Sequence, residues 1–477
     1  MRSLLFVTLL AASACASAAP ITEPAAMAQT PVFPDDARLL EIIKSRVEDG
    51  RATGLVLGVM EPDGSTRVVA YGDPGADAKP LGPDSVFEIG SVTKVFTTTL
   101  LAGMVSKGEV TLDAAAQTYA PQGMTLPARN GKAITLANLA EQNSGLPRLP
   151  GNLDLGAVDM SNPYAAYTTQ MLHAFLAGYT LPRDPGAEFE YSNLGMGVLG
   201  GILANRAGQD YETLVKARIL TPLGMTTTGI TLTPEMQAQL ARGHDASGAP
   251  AANWDLPSLS GAGALRSSMR DMLKFLDANV GEPTTDLERA MRLAQTPRFD
   301  MSPNARIGLG WITVNSKSGD SFLYHDGGTG GYGAIIAVDP KRKVGLVLLG
   351  NRTGVPEDIA MHLLDPTIPL APPPAPAAER KEIVVPTDVL ATYTGVYALD
   401  AAPAFQLTVA LESGQLHMQA TGQGKYPVFA ESQSKFFLKV VDAQITFVPA
   451  KDGAPAHLIL HQGGVDQKAT KMCESMC

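Results

Sequence analysis

Cysteine is almost absent from this chain of 477 residues, which holds only Cys15, Cys473 and Cys477. Three cysteines cannot build a disulfide framework, and a Cys473–Cys477 bridge would close only a tiny loop at the tail. The seven histidines are scattered, and no Cys/His cluster has zinc spacing, so neither a metal nor a cofactor is expected. The apolar run near the start, Ser3 to Leu10, is too short to span a bilayer. Acidic residues outnumber basic ones by 47 to 37, giving a net charge of −10. That balance argues against a nucleic-acid or anionic-membrane surface.

What remains is an ordinary soluble composition, 45% hydrophobic and 18% charged, long enough for two or more domains. Met1-Arg2, the run Ser3–Leu10 and the small residues Ala16-Ser17-Ala18 read as a secretory signal over residues 1–18. The alternative reading of that segment is lipidation at Cys15, after Ala12-Ser13-Ala14. Export predicts a periplasmic or secreted protein.

The densest chemical signal is Ser91-Val92-Thr93-Lys94, followed downstream by Tyr191-Ser192-Asn193 and His325-Asp326-Gly327. A serine three residues ahead of a lysine at a helix start places Oγ and Nζ on one face, a turn apart. That spacing suits a hydroxyl nucleophile activated by an amine. Ser432-Gln433-Ser434-Lys435 carries the same spacing but sits in alternating, strand-like sequence. After Ser91 the apolar positions Val92, Val95, Phe96, Leu100, Leu101, Met104 and Val105 repeat at helical spacing, and Gly108 fits a helix stop.

With these residues the chain resembles the class C β-lactamases and the related penicillin-binding peptidases and esterases. Phe87 to Lys94 looks like their nucleophile motif, and Ser144-Gly145-Leu146-Pro147, Pro185-Gly186, Leu220 to Met225 and Gly308-Leu309-Gly310-Trp311 also agree. The resemblance covers roughly residues 35 to 365. It implies an α/β (α+β) penicillin-recognising serine hydrolase fold, with Ser91, Lys94 and Tyr191 as catalytic residues. It also implies substrate-binding and oxyanion roles for Asn193, His325, Asp326, Gly327 and Gly328, the oxyanion donors being the N–H groups of Ser91 and Gly328.

Three departures limit what the resemblance says of substrate. True β-lactamases carry Lys-Thr where this chain has His325-Asp326. A histidine supports a substrate carboxylate only when protonated, and an ionised Asp326 repels one. The Asn and Arg that follow the last strand in class C enzymes are replaced by Pro356 and Ile359, and the glutamine after Gly145-Leu146-Pro147 by Arg148 or Leu149. The expected function is therefore a monomeric hydrolase of β-lactams or D-alanyl peptides. An esterase on small acyl esters and a penicillin-binding sensor that stays acylated are the alternatives.

Residues 35–365 are expected to form the catalytic domain. Its strands, Leu55–Met60 and Arg67–Tyr71 near one end and Tyr332–Val338 and Val344–Leu349 near the other, imply one antiparallel sheet enclosing a helical subdomain. A proline-rich linker over 366–384, with Pro372-Pro373-Pro374, leads to a small all-β, lipocalin-like domain at 385–472. No chemical constellation appears in that second domain.

Overall fold

A computed structural model of the protein describes residues 31–472, apart from 155–157, 316–320, 374–379, 401, 422–424, 440–442, 450–454 and 463–464. The expected signal segment, Cys15, Cys473, Cys477 and part of the proline-rich linker lie outside the described residues.

The sheet is built from both ends of the first domain, all antiparallel. Its strands are β1 (Gly54–Met60), β2 (Thr66–Gly72), β3 (Phe299–Ser302), β4 (Ala305–Ile307), β5 (Ile312–Asn315), β6 (Ser321–Gly328), β7 (Gly333–Asp339) and β8 (Val344–Gly350). They lie in the order β2-β1-β8-β7-β6-β5-β4-β3, with Val56 opposite Leu349 and His325 opposite Ile336. Strands β1, β7 and β8 are buried at every position because both faces of the sheet are covered. The sequence pattern anticipated four of these strands. The edge formed by β3–β5 consists of strands only three or four residues long, which leave little periodic signal.

Five helices fix the layers: α1 (Asp36–Glu48), α2 (Thr93–Ser106), α3 (Asn193–Ala207), α4 (Met269–Val280) and α5 (Glu357–Leu364). Leu39, Ile42 and Ile43 of α1 and Ile359 and Leu363 of α5 pack with Leu55, Leu57, Ile335 and Leu348 on one face. On the other face Val56, Ile336 and Val347 join the larger core that contains α2, α3 and α4. Helix α2 is central there. Phe96 stacks on Phe275 of α4 at 3.9 Å, and even its polar Thr97 is satisfied, donating to the Gly261 carbonyl at 2.7 Å. Gly108, at φ +68°, follows the end of α2 in the left-handed region where glycine is favoured.

Eight antiparallel strands from Gly395–Leu399 to Val465–Lys471 close into a barrel. Leu407, Val409, Leu416, Phe436, Ile445, Phe447 and Leu458 are buried in its core, as expected for a small barrel filled by its own side chains. Ser432 lies in a bend here and Lys435 opens the strand that follows, with the Lys435 N–H donating to Ser432 Oγ at 3.0 Å.

Candidate active site

Ser91 sits in a short 3-10 turn, Gly90–Val92, that runs straight into α2. Lys94, one turn on, is fully buried, and its Nζ has three oxygen neighbours. These are Ser91 Oγ at 2.8 Å, Asn193 Oδ1 at 2.8 Å and the Ala262 carbonyl at 2.7 Å. A neutral amine has two N–H groups and one lone pair. The two carbonyl oxygens can accept only from N–H, so in the neutral form the lone pair is left for the Ser91 hydroxyl. Burial pushes the Lys94 ammonium well below its ordinary range, and the nearby Arg148 charge adds to the effect, against the opposing charge of Asp326.

Tyr191 precedes α3, whose N-terminus is capped by Ser192 accepting from the Gly195 N–H. The Ser91 side chain is near enough to the Tyr191 hydroxyl to favour its ionised form slightly, and Lys94 Nζ lies 4.8 Å from the centre of its ring. Burial drives this phenol above its ordinary range, so it keeps its proton at neutral pH. Desolvation is the largest influence at both Lys94 and Tyr191.

Strand β6 lies against the nucleophile turn. A Cβ on Gly327 would stand 2.1 Å from the Ile89 carbonyl oxygen and 2.8 Å from the Ser91 nitrogen. Gly90, at φ +48°, faces Gly328 so closely that a Cβ there would lie 2.7 Å from the Gly328 nitrogen. The backbone nitrogens of Ser91 and Gly328 are thus brought to one place, and Gly328 is exposed there.

His325 departs from the expectation that it turns toward substrate. It is only 2% exposed, and its Nδ1 lies 2.6 Å from the Asp326 carbonyl oxygen. Burial, with the Lys94 charge adding to it, holds its pKa down to about 4 despite Asp326. Mild acidification therefore does not place a cation at the third motif. The Asp326 carboxylate acts electrostatically on Lys94, Tyr191, Tyr324 and Glu357.

Three supports were missed in the sequence. Ala262 contributes only a backbone carbonyl. Gln142, itself at φ +58°, accepts from the Ser192 N–H at 2.7 Å and so ties the second motif to the preceding loop. Glu88, three residues before Ser91, is buried and accepts from Asn253 Nδ2, the Trp254 N–H and Arg266 Nη2 at 2.9, 2.9 and 3.1 Å. A buried acid within the first motif was the available signal for this last one. Among the described residues no His/Cys/Asp/Glu group is arranged to hold a metal, and no helix is long and apolar enough to cross a membrane.

Comparison with known proteins gives the family and the fold. A profile of the β-lactamase family matches residues 39–365, and one for a domain of unknown function, DUF3471, matches residues 379–472. The D-alanyl-D-alanine-carboxypeptidase/endopeptidase AmpH of Escherichia coli (strain K12) is 32% identical over 373 residues, covering 74% of this chain and 92% of AmpH. A β-lactamase of Lysobacter lactamgenus is 25% identical over 361 residues, covering 68% of this chain and 88% of that protein. In structure, the class C β-lactamase from Rhodobacter sphaeroides matches with a TM-score of 0.58 at 26% identity, over 69% of this chain and 98% of its own.

Proposed function

Because the chain belongs to the β-lactamase family of serine hydrolases, we propose that it is an exported enzyme in which Ser91 forms an acyl-enzyme with β-lactams or D-alanyl peptides. The observation that carries this reading is the buried Lys94 amine, 2.8 Å from Ser91 Oγ, with carbonyl oxygens at its two other contacts. Neutral Lys94 takes the Ser91 proton as Oγ attacks the substrate carbonyl. The N–H groups of Ser91 and Gly328 receive the developing oxyanion. As the tetrahedral intermediate collapses, Tyr191 donates its proton to the departing nitrogen, and the proton held on Lys94 restores it. Water then attacks the ester, with the same groups working in reverse, and frees Ser91.

Asp326 favours a second reading, esterase activity on neutral acyl esters, through the same residues. The third motif carries a carboxylate where a fixed cation would greet an anionic substrate, and its histidine is buried and neutral at pH 7. The test is mass spectrometry of the mature protein after penicillin or a fluorophosphonate, with turnover of nitrocefin, D-Ala-D-Ala peptides and p-nitrophenyl acetate. An adduct on Ser91 that is absent in Ser91→Ala is expected. Label on Ser432, or full turnover by Ser91→Ala, would overturn the assignment. The turnover ranking decides between amide and ester substrates.

A further inference from the structure

Arg148 is a charged residue beside Tyr191 that this mechanism leaves unused. Its backbone is fixed: the Leu194 N–H donates to the Arg148 carbonyl at 3.2 Å, and Ser192 Oγ donates to the neighbouring Pro147 carbonyl at 2.7 Å. Its side chain is exposed, with the guanidinium carbon 5.0 Å from the centre of the Tyr191 ring. The loop that holds it is therefore tied to the same turn that presents Tyr191 and Asn193. Its charge also reaches Tyr164, which packs edge-on against Trp254 at 5.3 Å. Among the described residues no carboxylate forms an ion pair with Arg148.

A guanidinium resting on an aromatic face keeps its edge donors free, and their fork matches the two oxygens of a carboxylate. On the sheet side of the cleft the charges run the other way. Asp326 lies on β6 and Glu357 opens α5, near enough for each charge to bear on the other. Arg148 is thus the positive charge on the helical side of the site, and Asp326 on β6 is the negative charge that reaches Lys94 and Tyr191.

We propose that Arg148 is a specificity-determining residue that anchors a substrate carboxylate on the helical side of the cleft, in place of a third-motif cation on the sheet. The proposal rests on Ser91 being the nucleophile. It identifies the preferred substrates as acyl compounds whose carboxylate points away from the His325-Asp326 strand.

The test compares three chromogenic esters on the full chain. These are p-nitrophenyl butyrate, which is neutral; the p-nitrophenyl half-ester of succinate, with its carboxylate on the acyl group; and a butyrate ester of a carboxylated nitrophenol. The quantity read is kcat/KM for each anionic ester divided by that for the neutral ester on the same variant. Any influence of Arg148 on Lys94 cancels in that ratio. For at least one anionic ester the ratio should fall roughly tenfold in Arg148→Gln, fall further in Arg148→Glu and be partly kept in Arg148→Lys. Which ester responds tells on which side of the scissile bond the carboxylate sits. Raised salt should lower that ratio in the wild type and leave it flat in Arg148→Gln. Unchanged ratios in both Arg148→Gln and Arg148→Glu, with Ser91 still acylated by the neutral ester, overturn the proposal alone. Failure of the wild type to be acylated at Ser91 by any probe overturns the nucleophile reading and this proposal with it.

Discussion

Gly327 lies so close to Ile89 that a methyl group on its Cα would stand 2.1 Å from the Ile89 carbonyl oxygen. The contact is backbone to backbone, so no side chain can rotate out of the way. It sets the distance between β6 and the nucleophile turn, and through it the spacing of the two proposed oxyanion donors.

Gly327→Ala should therefore push strand and turn apart. Overpacking of this kind typically costs about 1–3 kcal/mol, and displaced oxyanion donors should cost about 10²-fold or more in acylation rate. Thermal unfolding and Ser91 acylation measured on the same sample check both effects. Wild-type acylation by a folded Gly327→Ala protein would show that the donors lie elsewhere.

Tyr191→Phe separates the two halves of the proposed proton path. The phenol is held protonated by burial, so its work falls at leaving-group departure rather than at activation of Ser91. Amide or β-lactam turnover should drop by about 10²-fold or more. A p-nitrophenyl ester, whose leaving group departs without a proton, should lose far less. Equal losses on both substrate types would make Tyr191 part of nucleophile activation instead.

The buried His325 makes a prediction about stability. Its pKa is about 4 when folded and near the ordinary 6.5 when unfolded. Between those values the unfolded chain binds the extra proton, so stability rises with pH and is lost as pH falls from 6.5 toward 4. The melting temperature should decline across that window, and His325→Gln should flatten the decline while leaving other acid-labile groups in place. The same slope in both proteins would mean that His325 titrates alike in both states.

The short motifs were legible in the sequence because their chemistry is local. Ser91 and Lys94 are three residues apart on one helix, and the apolar spacing after Ser91 gives that helix away. The strands that flank the helical middle were legible for the same reason. Ala262 was not legible, because its partner Lys94 is 168 positions away and a backbone carbonyl has no residue identity. The edge strands β3–β5 were missed because each is only three or four residues long, too short for an alternating pattern to stand out. The facing of His325 was misread because a motif gives the order of side chains along a strand, not which layer buries them. Burial of this ring was decided by packing across the sheet, which lies outside any three-residue window.

Asp326 on β6 and Glu357 at the start of α5 crowd negative charge together. Burial first, then repulsion from Asp326 and Asp358, holds the Glu357 carboxyl above its ordinary range. Asp326 also raises the Lys94 pKa against the stronger effect of burial. Asp326→Asn should therefore have two separable effects. The acid limb of kcat/KM should move to lower pH for every substrate, since Lys94 loses a stabilising anion and sheds its proton more readily. The ratio of nitrocefin to p-nitrophenyl acetate turnover should rise roughly tenfold, because a direct charge contact near the surface is worth a few kcal/mol at most and solvent screens part of it. Glu357→Gln should raise that ratio by less, since its charge bears on Asp326 and not on Lys94 or Tyr191. Rate profiles over pH for both substrates, in wild type and both variants, read the two effects independently. A shifted acid limb with an unchanged substrate ratio would place Asp326 in the electrostatics of Lys94 but away from the substrate, and the charge argument against anionic β-lactams would fall.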